Sequence, residues 1–188
     1  LTPEVEVRWD AFVETCPEAT VSVGYNDNAF RTASGRTGDA FLRFRPETTL
    51  GVVGAPYDLS SNLAITVNRQ LKQKANNFVD FRANATGGID INRDTEVDAN
   101  VGFVRGHESR SSIDNVGQTT DLPNFIETEG SIGVTYSPPM GIASIGQTVQ
   151  NRTFISDPGN VAGGRNANTY TTKGCIGPRL SNNVNVLL

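Results

Sequence analysis

The stretch Ile91–Ser112, INRDTEVDANVGFVRGHESRSS, decides how the rest of the chain is read. Asn92-Arg93-Asp94 has the polar composition of a tight turn. Val97, Ala99, Val101 and Phe103 then alternate with Glu96, Asp98, Asn100 and Gly102, and Arg105–Ser112 is a charged exit. A period of two is the pattern of a strand with two unlike faces. Such a strand fits a soluble domain with one wet face. It equally fits a strand with lipid on one side and water on the other.

The same period recurs along the chain. Val21, Val23 and Tyr25 alternate with Thr20, Ser22 and Gly24, and Ala40, Leu42 and Phe44 with Phe41, Arg43 and Arg45. Leu63, Ile65 and Val67 stand against Asn62, Ala64, Thr66 and Asn68. Val79, Phe81, Ala83 and Ala85 stand against Asp80, Arg82, Asn84 and Thr86, and Ile132, Val134 and Tyr136 against Ser131, Gly133 and Thr135. No segment carries the i, i+3, i+4, i+7 stripe of an amphipathic helix. The chain reads as all-β, with strands expected over 18–30, 38–53, 60–72, 77–90, 95–106, 125–137, 141–154 and 168–181. A ninth is expected to begin near Val184.

The connections between these strands alternate in length. Gly54–Ser60, Asn92–Asp94, Ser137–Gly141 and Ser181–Asn183 are short and rich in turn residues. Arg31–Gly38, Lys72–Asn76, Gly106–Asn124 and Ser156–Ala167 are mostly longer. A meander has one set of connections at each end, and outer-membrane barrels have short periplasmic turns and longer external loops. This rhythm selects an antiparallel up-and-down transmembrane β-barrel, of which the sequence covers about eight or nine strands. A larger barrel is expected, incomplete at its C-terminal end, since no terminal aromatic closes the sequence. Residues 1–17 read as a lead-in or an extra strand, because Val5, Val7, Trp9, Ala11 and Val13 also alternate. Residues 18–188 read as the barrel. The chain begins at Leu1 rather than Met, which fits a leader already removed or a sequence that starts late.

Composition narrows the function classes. The 188 residues are enough for one domain, 37% are hydrophobic, and the formal net charge is -4. That charge, with Lys and Arg scattered, argues against a nucleic-acid partner. No apolar run approaches the length of a transmembrane helix, but a transmembrane strand needs only ~9–11 residues. Cys16 and Cys175 are far apart, so a disulfide cannot be read from spacing and two unrelated thiols are the simpler reading.

Two segments resemble a known family. PEATVSVGYNDNAFRTASGRTGDAFLRFRPETTL (Pro17–Leu50) is similar to the opening hairpin of β-barrel porin-2-like outer-membrane proteins. DINRDTEVDANVGFVRGHESRSSID (Asp90–Asp114) is similar to the family's Arg-Asp-Thr turn and its His-Glu-x-Arg-Ser-Ser exit into a loop. The resemblance runs from about Val5 to Tyr136. The tryptophan-bearing strand usual in the family is missing near Asn62–Val67. The resemblance implies a barrel and no catalytic residues. Some members are linked to exopolysaccharide or exosortase systems, which implies a part in surface-polysaccharide export.

Candidate chemistry is sparse. His107, with Glu108 and Ser109, could enter a serine hydrolase triad, but triads are assembled in space and adjacency in sequence is poor evidence for one. An external-loop histidine paired with a carboxylate or with solvent is the simpler reading. Asp90, Asp94, Glu96 and Asp98 could hold Ca²⁺, but Arg93 interrupts the run and a strand splays its side chains. Charge balanced by arginines on neighbouring strands is expected instead. Arg8, Arg43, Arg45, Asp80, Arg82, Asp98, Glu127 and Glu129 should face the lumen together, where such rings tune selectivity or fill the interior as salt bridges. The expectation is therefore a porin-like conduit or a barrel component of polysaccharide export in the bacterial outer membrane. It would be no enzyme and would need no cofactor or metal. Its partners would be outer-membrane lipid and polysaccharide or small polar solutes, with a homo-oligomer or membrane-complex partner left open. The rivals are a soluble self-assembling β-rich subunit of a surface layer, filament or capsid, and a lipid-acting barrel enzyme.

Overall fold

A computed structural model describes residues 12–54, 56–109, 122–156, 165–181 and 184–185. Its strands are β1 (Phe12–Asn26), β2 (Asp39–Gly54), β3 (Tyr57–Gln70), β4 (Phe78–Asn92), β5 (Thr95–His107), β6 (Asn124–Tyr136), β7 (Gly141–Ser156), β8 (Ala167–Ser181) and β9 (Val184–Asn185). They form one nine-stranded antiparallel sheet in sequence order. The only helical element among the described residues is a three-residue 3-10 turn, Lys74–Asn76. The up-and-down order is that of a barrel wall, left open between β1 and β9 among the described residues.

Seven of the eight long strands lie within a few residues of the sequence expectation. β1 differs, running Phe12–Asn26 instead of 18–30. Its far end is fixed by asparagines. The Asn28 amide N–H donates to Asn26 Oδ1 at 3.0 Å, and the Asn28 side chain exchanges hydrogen bonds with Thr32 at 2.8 and 2.9 Å. This Asx geometry turns the chain four residues earlier than the glycine and serine content of Arg31–Gly38 suggests. At its near end β1 passes through Pro17, opposite Thr48. Proline donates no ladder bond, and among the described residues β1 pairs with β2 alone. Trp9 and Arg8 lie outside the described residues.

Pro46 leaves a similar mark inside the sheet. The β2–β3 pairing lapses after Phe44↔Val67 and resumes in the same register at Glu47↔Ala64, because Pro46 has no N–H to give.

Alternation carries into the third dimension as two chemically different faces. One face carries Val21, Val23, Leu42, Phe44, Leu63, Ile65, Val79, Val101, Ile132 and Ile145, all exposed. Val23 is 79% accessible and Val101 61%. The buried apolar set among the described residues is only Ala29, Phe30, Ala64, Leu122 and Phe154. This is no soluble core: the apolar side chains cover the outside of the sheet. All four tyrosines of the chain sit on this face near strand ends, Tyr25 and Tyr170 beside long connections, Tyr57 and Tyr136 beside short ones. Phe44, Phe81 and Phe103 lie between these levels. A ring with a polar tip is suited to the boundary between hydrocarbon and water.

Candidate functional site

The opposite face is polar, and backbone register builds it row by row. One row crosses eight strands as Glu18, Glu47, Ala64, Arg82, Val104, Glu127, Arg152 and Ala167. The row beside it holds Cys16, Thr49, Asn62, Asn84, Gly102, Glu129, Gln150 and Thr169. Toward the long connections, Ser22, Arg43, Asn68 and Phe78 make a further row. Arg43, Arg45, Asp80, Arg82, Asp98, Glu127 and Glu129 therefore share this face. The eighth residue expected with them, Arg8, lies outside the described residues.

Charges on this face are partly paired. Arg45 Nη2 lies 2.8 Å from Glu47 Oε2, and Asn62 Nδ2 donates to Glu47 Oε1 at 3.0 Å. Arg152 donates to Glu127 Oε2 through Nε at 2.6 Å and Nη2 at 2.5 Å. Arg165 pairs with Glu108. These are charge-assisted contacts; the first two lie within β2 and between β6 and β7, whereas Arg165–Glu108 joins the residues flanking β8 and β5.

Charge is also uneven along the strands. Arg43, Arg45, Arg82 and Arg152 lie in the halves nearer the long connections together with Asp80 and Glu127, whereas Asp58, Asp90, Glu96 and Asp98 lie close to short turns. Among the described residues these acids form no ion pair with arginines of neighbouring strands, contrary to expectation. Asp98 pairs across to Gly88 and Gly133, and Asp90 faces Glu96. A Cβ on Gly133 would come within 2.5 Å of Asp98 Oδ1, so the carboxylate spreads over the space the glycine leaves. The Asp94 N–H donates to Asn92 Oδ1 at 3.0 Å and serves the turn. Among the described residues, no three metal-ligating side chains converge.

His107 is not in an external loop. It is the last residue of β5 and joins the polar face, with Nδ1 2.8 Å from Asp80 Oδ1 and its ring stacked on Phe78 at 3.7 Å between centroids. The carboxylate partner was legible in kind, but the partner's identity depends on pairing across β4 and β5.

Sequence reading missed the mouth at the long-connection end. There the segments 27–38 and 71–77 are stitched to the strands. Asp39 Oδ2 accepts the Lys72 and Gln73 N–H groups at 2.9 and 2.7 Å. Asn76 donates to the Ala29 carbonyl at 2.9 Å, Asn68 donates to the Asn76 carbonyl at 3.2 Å, and the Gln70 N–H donates to Asn77 Oδ1 at 2.7 Å. Burial alone would push the Asp39 carboxyl up. The amides of Gln73, Lys72 and Ala40, with the Lys72 charge, outweigh burial and hold it below its ordinary range. Asp39 sits on the loop side of the exposed apolar band. Its sequence signal was an Asx residue at a strand start. That identifies a turn former, but the amides it would cap lie more than thirty residues away.

Cys16 and Cys175 are free thiols on β1 and β8. Their sheet positions are seven strands apart in the order β1 to β8.

The family model described as "Putative beta-barrel porin 2" matches residues 12–186. No curated protein and no solved structure shows significant similarity to the chain.

Proposed function

The chain belongs to that β-barrel porin family, and from this premise we propose that it forms a bacterial outer-membrane barrel acting as a passive, porin-like conduit. The polar face is then the lumen and the apolar face meets lipid. The observation that carries this reading is the exposed apolar face itself. Valines, leucines and isoleucines are displayed outward on eight successive strands while hardly any apolar side chain is buried. A water-soluble monomer does not expose an apolar area of that extent. A hydrocarbon surround makes it favourable, and strands of 13 to 16 residues exceed the ~9–11 needed to cross. The tyrosines near the strand ends support the same orientation.

Transport on this reading needs no chemical step and no cofactor. Solutes diffuse past arginines and their paired carboxylates near one end and carboxylates alone near the other, and these fixed charges bias which ions enter. The family gives the barrel. A part in surface-polysaccharide export is a finer proposal, supported by the polar lining and by the resemblance of Pro17–Leu50 and Asp90–Asp114. The lipid-acting enzyme has less support. His107 is held by Asp80 and Phe78 on the lumen face, away from the outer surface where a lipid ester would arrive.

Membrane fractionation with a heat-modifiability gel is the decisive test. The protein is expected in the outer-membrane fraction, with different mobility before and after boiling. Release without detergent as a large sedimenting assembly would establish the soluble structural subunit instead.

A further inference from the structure

Phenylalanine has no evident reason to stand on a water-facing surface. Yet Phe41, Phe78, Phe125 and Phe154 all lie on the polar face, each at the loop end of its strand. Each is met by a guanidinium. Arg43 lies 5.5 Å from the Phe41 centroid and 5.9 Å from that of Phe78. Arg152 lies 4.6 Å from Phe125 and Arg165 4.3 Å from Phe154. Arg152 and Arg165 also hold carboxylates, Glu127 and Glu108. Arg43 differs: among the described residues it contacts rings and forms no ion pair.

Two buried acceptors stand beside it. Asn68, paired across from Arg43, is 2% exposed, and its Oδ1 has no hydrogen-bond partner. Gln70, paired across from Phe41, likewise has an unpartnered Oε1. Leaving such atoms unpaired is costly unless something that donates reaches them. All these groups line one concavity of 430 Å³ at the mouth. Asp80 lines it too, engaged by His107.

We infer that this concavity is a binding subsite for a carboxylated sugar. The inference rests on the polar face being the lumen. A planar guanidinium matches a carboxylate. Ring hydroxyls donate to the unpartnered Asn68 Oδ1 and Gln70 Oε1. The C–H face of a pyranose packs on Phe41 and Phe78. A neutral sugar leaves Arg43 unused, and a simple carboxylate leaves the rings and amides unused, so the site discriminates by requiring all three.

Isothermal titration of the detergent-folded protein with glucuronate, glucose and acetate tests this without needing conductance. Glucuronate should bind at least tenfold more tightly than either control. Arg43→Gln should lower glucuronate affinity to the level of glucose, and Arg43→Lys should restore part of it. Phe78→Ala should lower glucuronate affinity to the level of acetate. A heat-modifiability gel on each variant separates lost binding from lost folding. Equal binding of acetate and glucuronate, unchanged affinity in Arg43→Gln, or no binding to the folded wild type would each overturn the subsite. Conductance without glucuronate binding would remove the subsite and leave the conduit. Binding without conductance would do the reverse.

Discussion

At the residue scale, short polar side chains do the closing and glycines make the room. Asp39 is the clearest case, because one carboxylate caps two amides of the 71–77 segment. Its folded-state pKa is depressed below the ordinary 3.8. Its contribution to order at the mouth is therefore present above that value and lost as pH falls through the lower folded value. The protection of the Lys72 and Gln73 amides, taken relative to their intrinsic exchange rate at each pH, should be high at neutral pH and fall in strong acid, and Asp39→Ala should show the low protection at every pH. Glycines divide by what surrounds them. A Cβ at Gly141 would meet the Gly177 carbonyl oxygen at 2.9 Å, while one at Gly130 would meet nothing within 4 Å. Backbone cannot step aside as a side chain can. Gly141→Ala should thus destabilise by about 1–3 kcal/mol, and Gly130→Ala should stay within about 0.5 kcal/mol of wild type, as read by urea unfolding in detergent or lipid.

At the element scale, each strand is a boundary between two solvents. Val101 and Asn100 are adjacent on β5, yet they point to opposite faces. Placing a charge on one and then the other separates lipid from water as the outer surroundings. Val101→Arg should destabilise the barrel in bilayers by about 2–4 kcal/mol, and Asn100→Arg should cost little. In a soluble sheet both substitutions would be nearly silent, so equal small effects would sink the membrane reading. The strand positions were largely legible, because a period of two and turn chemistry are local signals. β1 was displaced because two rules conflicted there. Pro17 looks like a boundary, yet the β1–β2 register runs through it unbroken, Cys16 opposite Thr49 and Glu18 opposite Glu47.

At the scale of the molecule, the uneven placement of charge gives the wall a direction. Arg45 and Arg82 stand in the loop-side half of the polar face, opposed to acids near the short turns. Reversing both, Arg45→Glu with Arg82→Glu, makes that half strongly more negative. Single-channel reversal potentials under a salt gradient should shift toward cation preference, and the shift should shrink at high ionic strength as screening shortens the reach of fixed charge. An unchanged reversal potential would mean that these arginines lie off the permeation path.

The sequence by itself determined seven of the eight long strands to within a few residues, and the alternation that puts Arg43, Arg45, Asp80, Arg82, Asp98, Glu127 and Glu129 on one face. Parity along an extended chain is a local property, and within a regular strand residues i and i+2 share a side; His107, at the end of β5, leaves that alternation to meet Asp80. Pairing across strands is not local. Only the tertiary structure decided that Glu127 meets Arg152, that Asp80 meets His107, that Asp98 lies among glycines and not arginines, and that Arg43 sits between two rings beside unpaired amide oxygens. Each of these depends on register, and a slip of two residues would preserve every face while exchanging every partner.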